Sequence, residues 1–209
     1  MKKTHFDAVI LDLGGVILNI DYNLTVEAFK KLGFNNFEAQ YSKLQQSGLF
    51  DKLETGRIEE PEFIEEIQKS IPNASAEQII SAWNALLLDF PEGRIEMVES
   101  IASQYPTYLL SNTNSIHYQE FNQTLHAQTD ISDIKSLFKK AYLSHEIHLR
   151  KPDKEAFQLI IDEHNLDPIR TLFVDDSPQH IEGAKKLGIQ AYHMKDDDSL
   201  EALFASPLA

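Results

Sequence analysis

The chain contains no cysteine. That rules out disulfides, thiolate metal sites and cysteine nucleophiles, and it fits a reducing compartment. No stretch approaches the ~20 apolar residues of a membrane helix. The amino terminus, Met1-Lys2-Lys3, is basic, but the apolar run behind it is about half the length of a signal-peptide core and is bracketed by Asp7 and Asp12. A cytoplasmic protein without a membrane partner is expected. Cations are scarce: 19 Lys and Arg stand against 33 Asp and Glu, a formal net charge of -14. Such a charge repels phosphate backbones and anionic lipid, so nucleic acid is a poor partner. An anionic ligand must therefore be held by local cations or by a metal ion.

What is present reads as an ordinary globular domain. The 209 residues are 42% apolar and 25% charged, enough to bury a core as one domain or as a domain with an insert. Ala8-Val9-Ile10-Leu11 is a β-favouring run too short for a buried helix, and it ends abruptly in Asp12-Leu13-Gly14-Gly15. In an open α/β sheet the carboxyl ends of the strands are where ligands bind. Asp12 is then presented at the rim of a site.

Helical periodicity follows. Val26, Phe29 and Leu32 share a face, with Gly33 as C-cap. Phe37, Tyr41 and Leu44 repeat the spacing, as do Phe63, Ile64, Ile67 and Ile71 behind Pro61. Ser75 to Gln78 is a capping-box spacing ahead of Ile79, Ile80, Trp83, Leu86 and Leu87. Between the second and third of these helices, Ser47 to Arg57 shows no clean period. From residue 90 helices alternate with short apolar runs: Thr107 to Leu110, Ala141 to Leu143, Thr171 to Val174 and Ile189 to His193. This alternation predicts a Rossmann-like parallel sheet covered on both faces, formed by residues 1–18 and 90–209. Residues 19–89 are expected to form an inserted four-helix domain.

Polar residues close three of the strands: Asp12, Ser111-Asn112 and Asp175-Asp176. Lys151 stands just before a helix. In a parallel sheet these converge on one edge. An aspartate can serve as a covalent nucleophile, and a nearby carboxylate can hold a hard cation such as Mg²⁺. A hydroxyl, an amide and a lysine can bind a transferring phosphoryl group, whose charge dominates the chemistry. Taken singly, each has a plainer account. Asp12 would be a turn cap, Lys151 a surface ion pair, Ser111-Asn112 turn chemistry, and the acidic pair a charge at a helix N-terminus.

In this order, Asp12, Ser111, Lys151 and Asp175-Asp176 resemble the four motifs of the haloacid dehalogenase-like (HAD) hydrolase superfamily, over essentially the whole chain. Asp12-Leu13-Gly14-Gly15-Val16, Leu110-Ser111-Asn112-Thr113-Asn114 and Leu149-Arg150-Lys151-Pro152-Asp153 further resemble the bacterial branch of α-D-glucose-1-phosphate phosphatases. The resemblance implies the HAD fold with a helical cap and a Mg²⁺-dependent phosphatase of small phosphorylated metabolites, such as a sugar phosphate, existing as monomer or homodimer. It implies Asp12 as nucleophile forming an aspartyl-phosphate. Gly14, Gly15, Ser111, Asn112 and Lys151 would bind phosphate, and Asp12, Asp176 and the Gly14 carbonyl would bind Mg²⁺. Asp175 would act behind them.

One position departs from the superfamily. Many of its phosphatases carry a second aspartate two residues after the nucleophile, as general acid and base, where this chain has Gly14. Proton transfer of that kind contributes 10²–10⁴-fold. Asp21, His117 and Glu54 are the substitutes considered. Branches cleaving C–halogen or C–P bonds share the gap. The acidic pair argues against the metal-free dehalogenases, while a phosphonate hydrolase needs a positioned amine, for which Lys43 or Lys52 would have to serve. A phosphate-binding module weakened by Gly14 is the non-enzymatic alternative. In the expected cap, Arg57 and Phe50 are open between substrate contact and structure, and Trp83 is expected in the core. No histidine shows metal-ligand spacing.

Overall fold

A computed structural model describes residues 6–34, 37, 48–195 and 198–205. Tyr41 and Leu44 of the expected second helix lie outside the described residues, as does Lys43. Five strands run parallel: β1 Ala8–Leu11, β2 Thr107–Ser111, β3 Lys140–Leu143, β4 Thr171–Asp175 and β5 Gln190–His193, in spatial order β3-β2-β1-β4-β5. The chain leaves β1 toward β2 and β3, then crosses back to β4 on the other side of β1. The β1/β4 boundary is therefore the topological switch point, where loops diverge and a crevice opens at the strand carboxyl ends. Register brings those ends level: Leu11 pairs with Leu109 and with Val174. The ladder continues one step further, with Asp12 N donating to Val174 O at 2.9 Å.

Both faces of the sheet are buried, which is why β1, β2 and β4 read as near-continuous apolar runs rather than alternating ones. Val9, Leu11, Leu109, Leu172 and Val174 point to one face. There they meet Ile95, Val98 and Ile101 of α5 (Arg94–Gln104) and Phe121 and Leu125 of α6 (Ser115–Gln128). Ala8, Ile10, Tyr108, Leu110 and Phe173 point to the other. There they meet Phe157, Ile160 and Ile161 of α8 (Lys154–His164) and Ile181 and Ala184 of α9 (Pro178–Lys185). A short helix α7 (Ser144–Ile147) follows β3, and α10 (Leu200–Ala205) closes the described chain.

Among the described residues, four helices between β1 and α5 bury a core of their own: α1 (Tyr22–Lys31), α2 (Leu49–Glu54), α3 (Glu60–Gln68) and α4 (Ala76–Asn84). Phe29 stacks on Phe37 at 4.5 Å, and Phe50 stacks on Trp83 at 5.2 Å. The predicted capping box forms, with Ser75 and Gln78 bonding each other's backbone N–H. The chain crosses between this core and the sheet at two adjacent points. Ile20 pairs antiparallel with Leu87, and Asn19 N donates to Asp89 O at 2.9 Å.

The segment expected to lack a period differs. Leu49–Glu54 is helical, with Gly48 and Gly56 at positive φ on either side. Six residues are too few for a 3.6-residue period to show, so only the punctuating glycines were visible in the sequence. Helix α6 ends at Gln128, and a 3-10 turn at Ile134–Leu137 follows. Among the described residues, no helix is long and apolar enough to cross a membrane.

Candidate active site

Asp12 leaves the end of β1 and is 7% exposed. Its Oδ1 accepts from the N–H of Leu13 at 2.7 Å and meets Lys151 Nζ at 2.7 Å. Both contacts fall on one oxygen, which leaves Oδ2 engaged by neither. Lys151 is fully buried and bridges to Asp175 Oδ2 at 2.6 Å. Its backbone is clamped by Asn112, whose Oδ1 accepts from Lys151 N and whose Nδ2 donates to Lys151 O, each at 2.9 Å. One bond at each end of the Asn112 amide thus orients the lysine, and the second N–H of Nδ2 is left over in a residue that also lines the cavity described below.

Asp175 is held from three sides. Besides Lys151, its Oδ1 accepts from Ser177 N at 2.7 Å, and His180 Nδ1 lies 3.0 Å from both carboxylate oxygens. Burial alone would raise the Asp175 carboxyl, but Lys151 and His180 outweigh it and hold the group well below the usual carboxylate range. For Lys151 burial works downward, and the carboxylates of Asp12 and Asp175 hold it above its ordinary value. Asp12 shows the opposite balance. Burial drives its carboxyl up, Lys151 opposes the rise, and Asp175 and Asp176 add to it. Burial and Asp175 also raise Asp176.

Asp176 packs against Gly15. A Cβ on Gly15 would stand 2.3 Å from Asp176 Oδ2, and the backbone there has φ +70. A side chain at position 15 would thus be both strained and in the place of the carboxylate. Ser111, 3% exposed, closes β2 beside this group.

Of these residues Asp12, Ser111, Asn112, Asp176, Ser177 and His180 line one end of a cavity of ≈ 570 Å³. Ile20, Val26, Trp83, Leu86 and Leu87 form an apolar part of the wall, and Glu54, Arg150 and Asn114 add polar groups. Of the substitutes considered for the missing acid, Asp21 caps α1, accepting from Asn23 N at 2.9 Å. His117 lines the cavity, but its Nδ1 lies 3.1 Å from Asn114 Nδ2 and its Nε2 3.2 Å from the Trp83 carbonyl. That pairing defines the neutral imidazole with Nδ1 accepting and Nε2–H donating. Burial lowers its pKa to about 4, against the bond to Trp83. Glu54 lines the cavity and pairs with Arg150 at 2.9 Å. Sequence inspection singled out no role for Arg150, whose partners Asp51 and Glu54 lie nearly a hundred positions away.

Arg57 pairs with Asp51 on the surface, and Phe50 is buried in the helical core. Trp83 does both, packing in that core and facing the cavity. Among the described residues Lys52 is not part of the cavity wall. Ligand atoms of His180, Asp12 and Asp175 fall within 4.8 Å of one another, a grouping that becomes visible only once α9 is placed against β1. In that trio Asp175 and His180 are bonded to each other, and Asp175 also to Lys151.

Fold and site together define an α/β protein whose centre is a buried carboxylate–lysine cluster at the topological switch point. The chain belongs to the haloacid dehalogenase-like hydrolase family, whose model matches residues 6–188. It is 30% identical over 190 residues to a D-ribitol-5-phosphate phosphatase of Bacteroides thetaiotaomicron, covering 88% of this chain and 89% of that one. A crystal structure of a HAD family enzyme from the same organism, in complex with magnesium and inorganic phosphate, superposes with a TM-score of 0.86 at 34% identity, covering 95% of this chain and 99% of that one. A predicted HAD-like hydrolase from Porphyromonas gingivalis superposes with a TM-score of 0.84 at 26% identity, covering 96% of each chain.

Proposed function

We propose that this hydrolase is a Mg²⁺-dependent phosphatase of a small phosphorylated metabolite, a sugar or polyol phosphate, working through an aspartyl-phosphate on Asp12. The observation that carries the reading is the Asp12–Lys151–Asp175 cluster. A lysine buried between two carboxylates fixes one oxygen of Asp12 and leaves Oδ2 for attack on phosphorus. The similarity to a D-ribitol-5-phosphate phosphatase supports a polyol or sugar phosphate. The finer likeness to α-D-glucose-1-phosphate phosphatases rests on the motifs alone.

The residues present fit a divalent cation. Asp12, Asp175 and Asp176 share one lysine, a surplus of negative charge that adds to burial in raising Asp12 and Asp176. A hard cation with oxygen ligands relieves that surplus. Asp12, Asp176 and the Gly14 carbonyl would hold it, while Asp175 is kept by Lys151 and His180. When bound, Mg²⁺ supplies charge neutralisation for the phosphoryl oxygens. Asp12 Oδ2 forms the bond to phosphorus as the ester P–O bond breaks and the leaving oxygen takes a proton from water, since Gly14 offers no acid. A second water then attacks phosphorus, releases inorganic phosphate and restores the carboxylate. Ser111 donates to a phosphoryl oxygen, and Lys151 offsets the charge that builds on the aspartyl-phosphate. Residues 19–89 act as a cap over the core formed by 1–18 and 90–209, closing the cavity around the leaving group.

The test is phosphate release from a panel of phosphorylated metabolites with and without Mg²⁺, using Asp12→Asn as control. Turnover by that variant equal to the unaltered protein would reject Asp12 as the nucleophile. The absence of a side chain at Gly14 favours a second reading, a phosphate-binding protein with negligible turnover. Tight binding of fluoroberyllate beside a negative panel would select it.

A further inference from the structure

Away from the Asp12 end, most polar side chains that reach the cavity are already committed to the protein. Asn112 holds the backbone of Lys151, and Asn114 holds His117. The His117 ring also meets the Trp83 carbonyl, and the Thr25 hydroxyl donates to that carbonyl while accepting from Leu86 N. The pair Glu54–Arg150 stands apart. Arg150 splits its guanidinium between two carboxylates on α2, with Nη1 3.2 Å from Asp51 Oδ1 and Nη2 2.9 Å from Glu54 Oε2. Glu54 Oε2 is enclosed by protein, 2.9 Å from Arg150 Nη2 in an ion pair without hydrogen-bond alignment, while the residue itself lines the cavity. A carboxylate has room for about four hydrogen bonds, so the pairing with Arg150 leaves acceptor capacity on Glu54. Burial, opposed by Arg150 and helped by Asp51, raises the Glu54 carboxyl above its ordinary value, the mark of an incompletely solvated group.

The position is also held firmly. Thr55 O lies 2.7 Å from His148 Nδ1, and a Cβ on Gly56 would stand 2.2 Å from His145 O. Residues 51–56 are thus docked against the segment that leads into Lys151, and the Glu54 carboxylate and the lysine are carried by touching elements. Ile20, Val26, Leu86 and Leu87 leave other parts of the wall without polar side chains.

We infer that Glu54, steadied by Arg150, accepts a hydrogen bond from a hydroxyl of the phosphate-bearing group, so that the pair selects phosphorylated polyols and open-chain sugars over alkyl phosphates of the same length. This rests on the phosphatase reading for its turnover and on geometry alone for its binding. Glu54 is a specificity residue here, and Arg150 a positioning residue that acts through it.

The experiment compares ribitol 5-phosphate with n-pentyl phosphate, two esters with similar leaving-group chemistry that differ in hydroxyls. In the Mg²⁺-loaded protein, Glu54→Ala should reduce the ratio of kcat/KM for the pentitol phosphate over the pentyl phosphate roughly 10- to 100-fold, the worth of one hydrogen bond to a charged group. Arg150→Met should reduce the same ratio, through KM for the pentitol phosphate rather than through kcat. A proportional fall for both esters, leaving the ratio intact, would overturn the inference in favour of a role in leaving-group protonation or folding. Binding to the Asp12→Asn protein reads the contact without turnover. Ribitol 5-phosphate should bind at least tenfold tighter than n-pentyl phosphate, and Glu54→Ala should erase the difference. Equal binding of the two esters with Glu54 intact overturns the inference. A binding difference that depends on Glu54, in a protein that hydrolyses neither ester, supports the inference and rejects the phosphatase reading alone.

Discussion

Ile20 places its Cδ1 3.0 Å from the point at which a Cβ on Gly14 would stand. The space that a second aspartate would need after the nucleophile is thus occupied by an apolar side chain from the crossing between sheet and helical core. Restoring the acid by Gly14→Asp alone should lower Tm, by about 2–4 °C for each kcal/mol of overpacking in a protein of this size. Ile20→Val removes Cδ1 and leaves Cγ2, already at an ordinary 3.6 Å. The double variant should recover most of the loss, and a thermal-melt cycle of the four proteins measures the coupling directly.

Lys151 carries the charge balance of the core as well as of the site. Lys151→Met leaves Asp12 and Asp175 buried side by side without a cation. Breaking a buried pair in this way costs about 3–5 kcal/mol. Urea unfolding should register a loss of that order, together with loss of phosphate release. Adding Asp175→Asn removes one of the stranded charges and should return part of the stability without returning activity.

Gly15 makes room for Asp176. Gly15→Ala combines roughly 1 kcal/mol or more of left-handed backbone strain with a Cβ in the place of Asp176 Oδ2. With Asp176 displaced, the Mg²⁺ concentration for half-maximal phosphate release should rise roughly 10–100-fold. A Mg²⁺ titration of the variant that matches the unaltered protein would separate Asp176 from the metal.

His117 should make the protein acid-sensitive. It is buried neutral, with its pKa lowered to about 4 from an ordinary 6.5. The unfolded chain therefore binds a proton that the folded chain refuses. The associated stability is fully present above pH 6.5 and is lost as pH falls toward 4, to a total of about 3 kcal/mol. Unfolding free energies measured from pH 7.5 to 4 should show this slope, and His117→Gln should flatten it by about that amount.

The parts of the protein visible in one dimension are those with local physical causes. Ala8–Leu11 and Thr171–Val174 read as strands because a strand buried on both faces needs an uninterrupted apolar run. The Ser75–Gln78 box read as a helix start because both of its bonds close within three residues. Asp12, Ser111 and Asp175-Asp176 could be placed at one edge because parallel strands put all their carboxyl ends on the same side. Helix α2 was not visible, since six residues are too few to establish a period.

What only the tertiary structure decided concerns contacts between residues far apart in the chain. Asn112 reads as a polar strand end, yet it serves as a clamp on Lys151, 39 positions away. His180, bonded to Asp175 only five positions before it, becomes a neighbour of the distant Asp12 because α9 returns over the switch point. Arg150 finds Asp51 and Glu54 only when α2 docks on the segment before Lys151. Gly14 shows the division within a single residue. The sequence alone determined that no carboxylate stands there, while only packing determined that Ile20 fills the space, because side chains that share a volume are chosen by the folded surface and not by their order along the chain.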